Sequence, residues 1–122
     1  MKMVRFLNEG NTGYGILSGE AVLPVAWEPY EEPAAAPGGI PLSDAALLAP
    51  VVPTKIVGIG LNYREHADEV GMETPSEPTV FLKPPSSVLD PGGSILLPAR
   101  SGQVDYEGEL AVIIGVEARR VP

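Results

Sequence analysis

Two glutamates near the end of the sequence form the most informative pattern in the chain. Glu107 and Glu109 stand two residues apart at the start of an apolar run, DYEGELAVIIG over residues 105–115. Side chains two apart on a strand point to the same face, so a strand here would place both carboxylates together. Two like charges repel unless a cation lies between them, and carboxylate oxygens suit Mg²⁺, Mn²⁺ or Ca²⁺. The alternative is a solvated strand end whose acidic residues happen to alternate.

The single histidine of the sequence has a carboxylate at helical spacing. Glu69 follows His66 by three residues in the segment REHADE, which is composed of helix-forming residues. Residues three apart are neighbours on a helix surface. A carboxylate beside an imidazole fixes its tautomer, which suits a general base that activates water. The alternative is a solvated, charged helix face.

A lysine ends an apolar strand just before two prolines, in the segment FLKPPSS. The ammonium group of Lys83 could pair with a substrate carboxylate. The alternative is a strand-end lysine whose aliphatic stem covers apolar surface. Gly58 and Gly60 do not indicate dinucleotide binding, because Tyr63 stands where the fingerprint requires a third glycine and no βαβ unit follows.

Composition excludes several classes of function. The chain has 122 residues, of which 44% are hydrophobic and 20% charged, as in folded globular proteins. Its formal net charge is −8, divided equally between residues 1–50 and 51–122, so no basic surface is concealed by the average. Nucleic acids and anionic membranes bind clustered Lys and Arg, so this acidic composition argues against both as partners. The absence of cysteine excludes disulfides and thiolate sites. Without a signal peptide or a long apolar run, we expect a cytoplasmic protein.

The pattern of turns and apolar runs predicts a mainly β fold with one short helix. Residues 1–28 read as a β-meander. Residues 29–42, rich in Pro and Gly, read as a linker that packs as no element. Residues 43–48 are expected to form one helical turn. These observations divide the chain into a small N-terminal β domain, 1–50, and a second domain, 51–122.

The second domain is predicted to contain a strand, KIVGIGL, a helix that ends at Gly71, and a further strand, TVFLK. SILLP at 94–98 and the segment 105–115 are predicted to be two more strands. A run as apolar as LAVIIG is usually a central strand paired on both sides. Too few strands remain to cover it, so this domain is expected to be incomplete.

Three segments together resemble the fumarylacetoacetate hydrolase family. They are KIVGIGLNYREHADEVGM, PTVFLKPPSSV and VDYEGELAVIIG, in this order and at the family's spacing. The resemblance covers roughly residues 53–122, and residues 1–50 look like the small N-terminal β domain of bacterial members. It implies a small β domain followed by the first part of a mixed β-roll or β-sandwich.

The resemblance also implies roles for individual residues. Glu107 and Glu109 match the family's metal ligands for Mg²⁺, Mn²⁺ or Ca²⁺. The family's third ligand is an aspartate in a later stretch that this chain does not contain. His66 and Glu69 match the pair that activates water. Three further residues match positions that bind substrate or shape its pocket: Lys83, Asn62 and Tyr63.

The implied activity is conversion of small 2-oxo or enol di-acids by C–C bond hydrolysis, decarboxylation or isomerisation, without an organic cofactor. The layout most resembles the isomerases and decarboxylases of aromatic catabolism, and family members are usually homodimers. The alternative is a truncated, non-catalytic β module that binds or pairs with another chain. An apolar strand left at an open edge favours such pairing.

Overall fold

The computed structural model describes residues 1–26 and 34–121 and divides into two compact units. The first unit comprises residues 1–50 and 90–122, and the second comprises residues 51–89. The described residues contain eight strands and one α-helix of six residues. The mainly β fold with one short helix is therefore confirmed. No helix within the described ranges is long and apolar enough to cross a membrane.

The first unit is built on the predicted β-meander. Strands β1 (Met3–Asn8), β2 (Asn11–Ser18) and β3 (Ala21–Ala26) pair antiparallel in sequence order. The turn between β1 and β2 has two residues, Glu9 and Gly10, with φ of 48° and 80°. Positive φ at both central positions is the mirror-image turn whose twist matches that of the flanking strands.

Three short strands extend this sheet. β4 (Ala34–Ala35) and β5 (Ile40–Pro41) both pair with β3, and β6 (Ala46–Leu48) pairs with the opposite edge, β1. The prediction that residues 29–42 pack as no element is therefore wrong for β4 and β5, while residues 29–33 lie outside the described part. Pro41 is tolerated in β5 because an edge strand does not need every backbone N–H for hydrogen bonds to its neighbour.

The helical turn predicted for residues 43–48 is only partly present. A 3₁₀ turn spans Leu42–Asp44, and the residues after it form β6. The open edge of β1 supplies hydrogen-bond partners to this segment, so sheet pairing overrides its weak local preference for a helix. Beyond β6, the backbone N–H of Ala49 donates a 2.6 Å hydrogen bond to Asp90 Oδ1, across 41 residues of sequence.

The core of the first unit lies on the sheet. Its buried apolar residues are Phe6, Val22, Val25 and Ala49. Glycines on β2 make room for these side chains: the ring of Phe6 lies against Gly13, and Val22 lies against Gly15. A Cβ on Gly15 would also stand 2.8 Å from the carbonyl oxygen of Leu23, so the spacing between β2 and β3 depends on glycine at this position.

The second unit contains the predicted strand, helix and strand. β7 (Ile56–Gly60) pairs antiparallel with β8 (Thr79–Lys83), and α1 (Arg64–Glu69) lies between them in sequence. Gly71 follows α1 with φ of 67°, and the N–H groups of Gly71 and Met72 donate to the carbonyls of Asp68 and Ala67. These are the two bonds of a Schellman motif, which confirms Gly71 as the C′ residue.

The strands predicted at 94–98 and 105–115 are absent. Neither segment belongs to a sheet, and the apolar side chains of the second one are largely exposed, with 86% for Leu110, 75% for Val112 and 72% for Ile114. A strand persists only where a neighbour accepts and donates its backbone hydrogen bonds. Within the described residues, no strand pairs with either segment.

Candidate functional site

The helix α1 positions the single histidine. Ala67 is completely buried, whereas the other five residues of α1 are exposed. The buried alanine anchors the helix and leaves His66 accessible, with 44% of its side chain exposed. An imidazole at this position can meet a small molecule without any movement of the backbone.

Glu69 lies beside the imidazole, as its spacing predicted. The distance between His66 Nδ1 and Glu69 Oε2 is 3.7 Å. This is longer than a hydrogen bond, but it places a negative charge next to one ring nitrogen. Because Glu69 lies on the Nδ1 side of the ring, Nε2 is the nitrogen available for proton transfer. Both groups are substantially exposed, so solvent screens the interaction.

The loop between β7 and α1 contains two further predicted site residues, Asn62 and Tyr63. It begins with Leu61, which has φ of 52°. A left-handed backbone at a branched, bulky residue costs about 1–2 kcal/mol. Tyr63 has extended backbone (φ −106°) and immediately precedes the helix. The strained residue therefore turns the chain sharply from the strand into the helix and fixes the place of Asn62.

A small cleft opens beside this loop. Its volume is about 250 Å³, and Asn62 lines it together with Thr74 and Ser76 from the loop before β8 and with Thr79, the first residue of β8. The cleft is slightly smaller than typical ligand pockets, and Glu77 also belongs to its lining. Sequence reasoning identified Asn62 but missed the hydroxyl residues. The sequence signal that could have indicated them is a run of hydroxyl residues, Thr74, Ser76 and Thr79, interspersed with Pro75 and Pro78.

Lys83 is the last residue of β8. It lies on the same face of the strand as Phe81, and its Nζ is 5.7 Å from the centroid of the Phe81 ring. His66, Glu69, Asn62, Tyr63 and Lys83 all belong to the second unit. Their assignment to catalysis and substrate binding stays a prediction.

Glu107 and Glu109 belong to the first unit, in the exposed segment without regular structure. The shared strand face that would bring the two carboxylates together is not formed. Across residues 1–26 and 34–121, no three His, Cys, Asp or Glu side chains come together as a group that could hold a metal ion. The described donor set is therefore incomplete for a hard divalent cation, which takes six or more oxygen ligands from protein and water.

Two family models match the chain. Residues 55–122 match the model described as fumarylacetoacetate (FAA) hydrolase, C-terminal, and residues 1–50 match the model described as Rv2993c-like, N-terminal.

Named relatives show the same resemblance. The oxaloacetate tautomerase FAHD2 of Arabidopsis thaliana is 55% identical over 69 residues, which are 57% of this chain and 31% of that protein. The oxaloacetate tautomerase Fahd2a of Rattus norvegicus is 36% identical over 122 residues, which are 98% of this chain and 34% of that protein. The chain thus spans only about a third of either relative.

A solved structure is also similar. The crystal structure of 5-carboxymethyl-2-hydroxymuconate delta-isomerase from Mycobacterium smegmatis superimposes with a TM-score of 0.58 at 26% sequence identity, over 71% of this chain and 34% of that one.

Proposed function

Because the chain belongs to the fumarylacetoacetate hydrolase family, we propose that it forms part of a divalent-metal-dependent enzyme acting on small 2-oxo or enol di-acids. The named relatives, two oxaloacetate tautomerases and an isomerase, support an enzyme that converts small acids. Hydrolysis, decarboxylation and isomerisation share one requirement, which is proton transfer near an enolised 2-oxo group. The chemistry of the exposed histidine meets this requirement.

One observation carries the proposal: Glu69 lies 3.7 Å from Nδ1 of an accessible imidazole. In the proposed reaction, Nε2 of His66 accepts a proton either from water or from the carbon beside the 2-oxo group. The carboxylate of Glu69, beside Nδ1, orients the imidazole for this transfer. In an isomerisation the proton returns to another carbon or to oxygen. In hydrolysis the resulting hydroxide adds to the carbonyl, the C–C bond breaks, and His66 returns its proton to the carbon that leaves.

The other predicted residues hold the substrate. Lys83 pairs its ammonium with a substrate carboxylate, a charge-assisted contact. Asn62 offers amide donors and an acceptor to substrate oxygens at the cleft. Tyr63, half-exposed and immediately before α1, shapes the site next to Asn62. These residues orient the acid so that its reacting carbon meets His66.

The proposal includes a divalent cation held by two glutamates. We assign Glu107 and Glu109 as two of the ligands of Mg²⁺ or Mn²⁺, with Ca²⁺ as a further candidate. When bound, such a cation polarises a carbonyl oxygen as a Lewis acid. Since the described donor set is incomplete, the steps above rest on His66, Glu69 and Lys83 alone.

The test is an assay of keto–enol conversion with oxaloacetate, in the presence of Mg²⁺, on the protein and on single variants. His66→Gln should lower kcat by about 10²- to 10⁴-fold, the usual contribution of a general base. Glu69→Gln should lower it less, because it removes only the orienting charge. Glu65→Gln, on the same helix, is the matched control and should leave kcat unchanged. A His66→Gln variant with normal kcat would exclude His66 as the base.

A second function is favoured by one observation, the exposed apolar side chains at 110–114. An unpaired apolar segment of this kind can add to a sheet edge of another chain, which would make the protein a non-catalytic β module. Sedimentation velocity distinguishes the two functions when combined with the assay. A concentration-dependent complex without keto–enol activity supports the module, whereas an active homodimer, as we propose for a cytoplasmic enzyme, supports the enzyme.

A further inference from the structure

One face of the β7–β8 sheet places an aromatic ring directly over a glycine. In the antiparallel register, Gly58 is opposite Phe81, and Ile56 is opposite Lys83. A Cβ on Gly58 would stand 2.7 and 2.8 Å from the Cε1 and Cε2 atoms of Phe81. The ring therefore occupies the space that any other residue at position 58 would fill. Covering of a strand glycine by a cross-strand aromatic ring is a known way of fixing both.

The same ring lies under the ammonium of Lys83. The 5.7 Å distance from Nζ to the ring centroid is within the range of about 6 Å for cation–π attraction. Residues two apart on a strand share a face, so this contact needs no bend of the backbone. Phe81 is 41% exposed, which leaves the surface beside Lys83 open to a ligand. The Phe81 ring thus packs over Gly58 and also lies close to the Lys83 ammonium.

We propose that Phe81 is a positioning residue for Lys83. The ring, held over Gly58, keeps the ammonium on this face of the sheet, where it receives an anionic group of the substrate. Without the ring, the flexible lysine stem would distribute the charge over many rotamers, and each encounter with a carboxylate would cost additional side-chain entropy. The role of Lys83 as the partner of the substrate carboxylate rests on the proposed function. The role of Phe81 in positioning it does not.

The first experiment measures the position of the ammonium without any substrate. Reductive ¹³C-methylation labels the three lysines, Lys2, Lys55 and Lys83, and retains their charge. The Lys83→Arg variant assigns the Lys83 signal by its disappearance. We expect an upfield ring-current shift for Lys83 relative to Lys55, which is lost in Phe81→Leu and retained in Phe81→Tyr. Circular dichroism verifies that each variant keeps its sheet content.

Gly58→Ala provides a second variant, because it displaces the ring without removing it. The Lys83 signal should then move toward that of Lys55. A Lys83 signal that coincides with Lys55 in the parent protein, or that is unchanged in both Phe81→Leu and Gly58→Ala, would overturn the positioning role.

Titration with oxalate, followed through the same signal, tests the consequence for anion binding. Phe81→Leu should weaken the affinity about two- to five-fold, the fold-change expected from loss of an exposed cation–π contact, and Phe81→Tyr should restore it. If oxalate leaves the Lys83 signal unchanged in the parent protein while the ring-current shift is present, the substrate contact assigned to Lys83 is wrong and the positioning role stands. If the affinity is equal in Phe81→Leu and the parent, the positioning role has no effect on binding and is refuted as a functional device.

Discussion

Substitution of Gly15 by alanine should be among the most damaging single-methyl changes in the first unit. The added Cβ would collide with Cγ1 of Val22, a side chain with no exposed surface, and would stand 2.8 Å from the backbone oxygen of Leu23. A side chain can rotate away, but a backbone oxygen can retreat only if β2 and β3 separate. The substitution therefore strains the hydrogen bonds of the central pair of the sheet.

The magnitude follows from these two contacts. Overpacking of a core by a methyl group lowers the free energy of unfolding by about 1–3 kcal/mol. Each weakened backbone hydrogen bond lowers it by about a further 0.5–1.5 kcal/mol. Alanine reduces the entropy of the unfolded chain, which offsets about 0.4–1 kcal/mol. We expect a net loss of about 2–3 kcal/mol in the free energy of unfolding. A core of this size rarely supplies more than about 3–5 kcal/mol, so the variant should be close to unfolding at room temperature.

Urea unfolding followed by far-ultraviolet circular dichroism measures this loss, provided that the m-value is unchanged. Gly13→Ala is the matched control, on the same strand and face. There the Cβ would stand 3.2 Å from Cζ of Phe6, the tip of a ring that can move by a few tenths of an ångström. We expect Gly13→Ala to change stability by less than about 1 kcal/mol. A Gly15→Ala variant as stable as Gly13→Ala would refute the inference that backbone spacing sets the cost.

Three further outcomes are expected. Gly58→Ala should lower the hydrogen-exchange protection of the β7–β8 amides, whereas Gly60→Ala, whose Cβ would stand 3.5 Å from Thr79, should preserve or raise it; equal protection in both would contradict the packing described. At Leu61, glycine should be more stable than alanine by about 1 kcal/mol in urea unfolding, because it relieves the left-handed strain, and the reverse order would show that no strain exists. Mn²⁺ should bind the protein weakly in isothermal titration and more weakly still after Glu107→Gln, and an unchanged affinity would argue against Glu107 as a ligand.

Local signals account for the elements that could be predicted from the sequence. The meander of residues 1–26 is specified by alternating apolar residues and by turn residues such as Gly10. The helix α1 is specified by helix-forming residues and by the glycine that ends it, Gly71. Both kinds of signal act over a few residues, so the sequence expresses them without reference to distant partners.

Elements that depend on a distant partner were predicted less well. Residues 105–115 have the composition of a buried strand, but a strand forms only beside another strand, and the described residues provide none. The short strands β4 and β5 show the converse, because the edge of β3 gives structure to residues whose composition indicates a linker. A sequence pattern indicates the conformation that a segment prefers, and strand pairing determines whether that conformation forms.

The same distinction applies to the candidate site. The approach of Glu69 to His66 follows from helical spacing alone and was predicted. The shared face of Glu107 and Glu109 required the strand and is not formed. The packing of Phe81 over Gly58 required the register between β7 and β8, which no pattern in either segment reveals.

The hydrogen bond from Ala49 to Asp90 has an architectural consequence. It joins the two points at which the chain leaves and re-enters the first unit, so the intervening forty or so residues form a loop closed at its neck. A loop whose two ends are held together in this way can be replaced by another segment. Replacement of residues 51–89 by a turn of about four residues would reduce the closure entropy by about 2 kcal/mol and leave the six-stranded sheet with its own connections. Residues 51–89, which include His66, can therefore be replaced while the sheet of the first unit is retained.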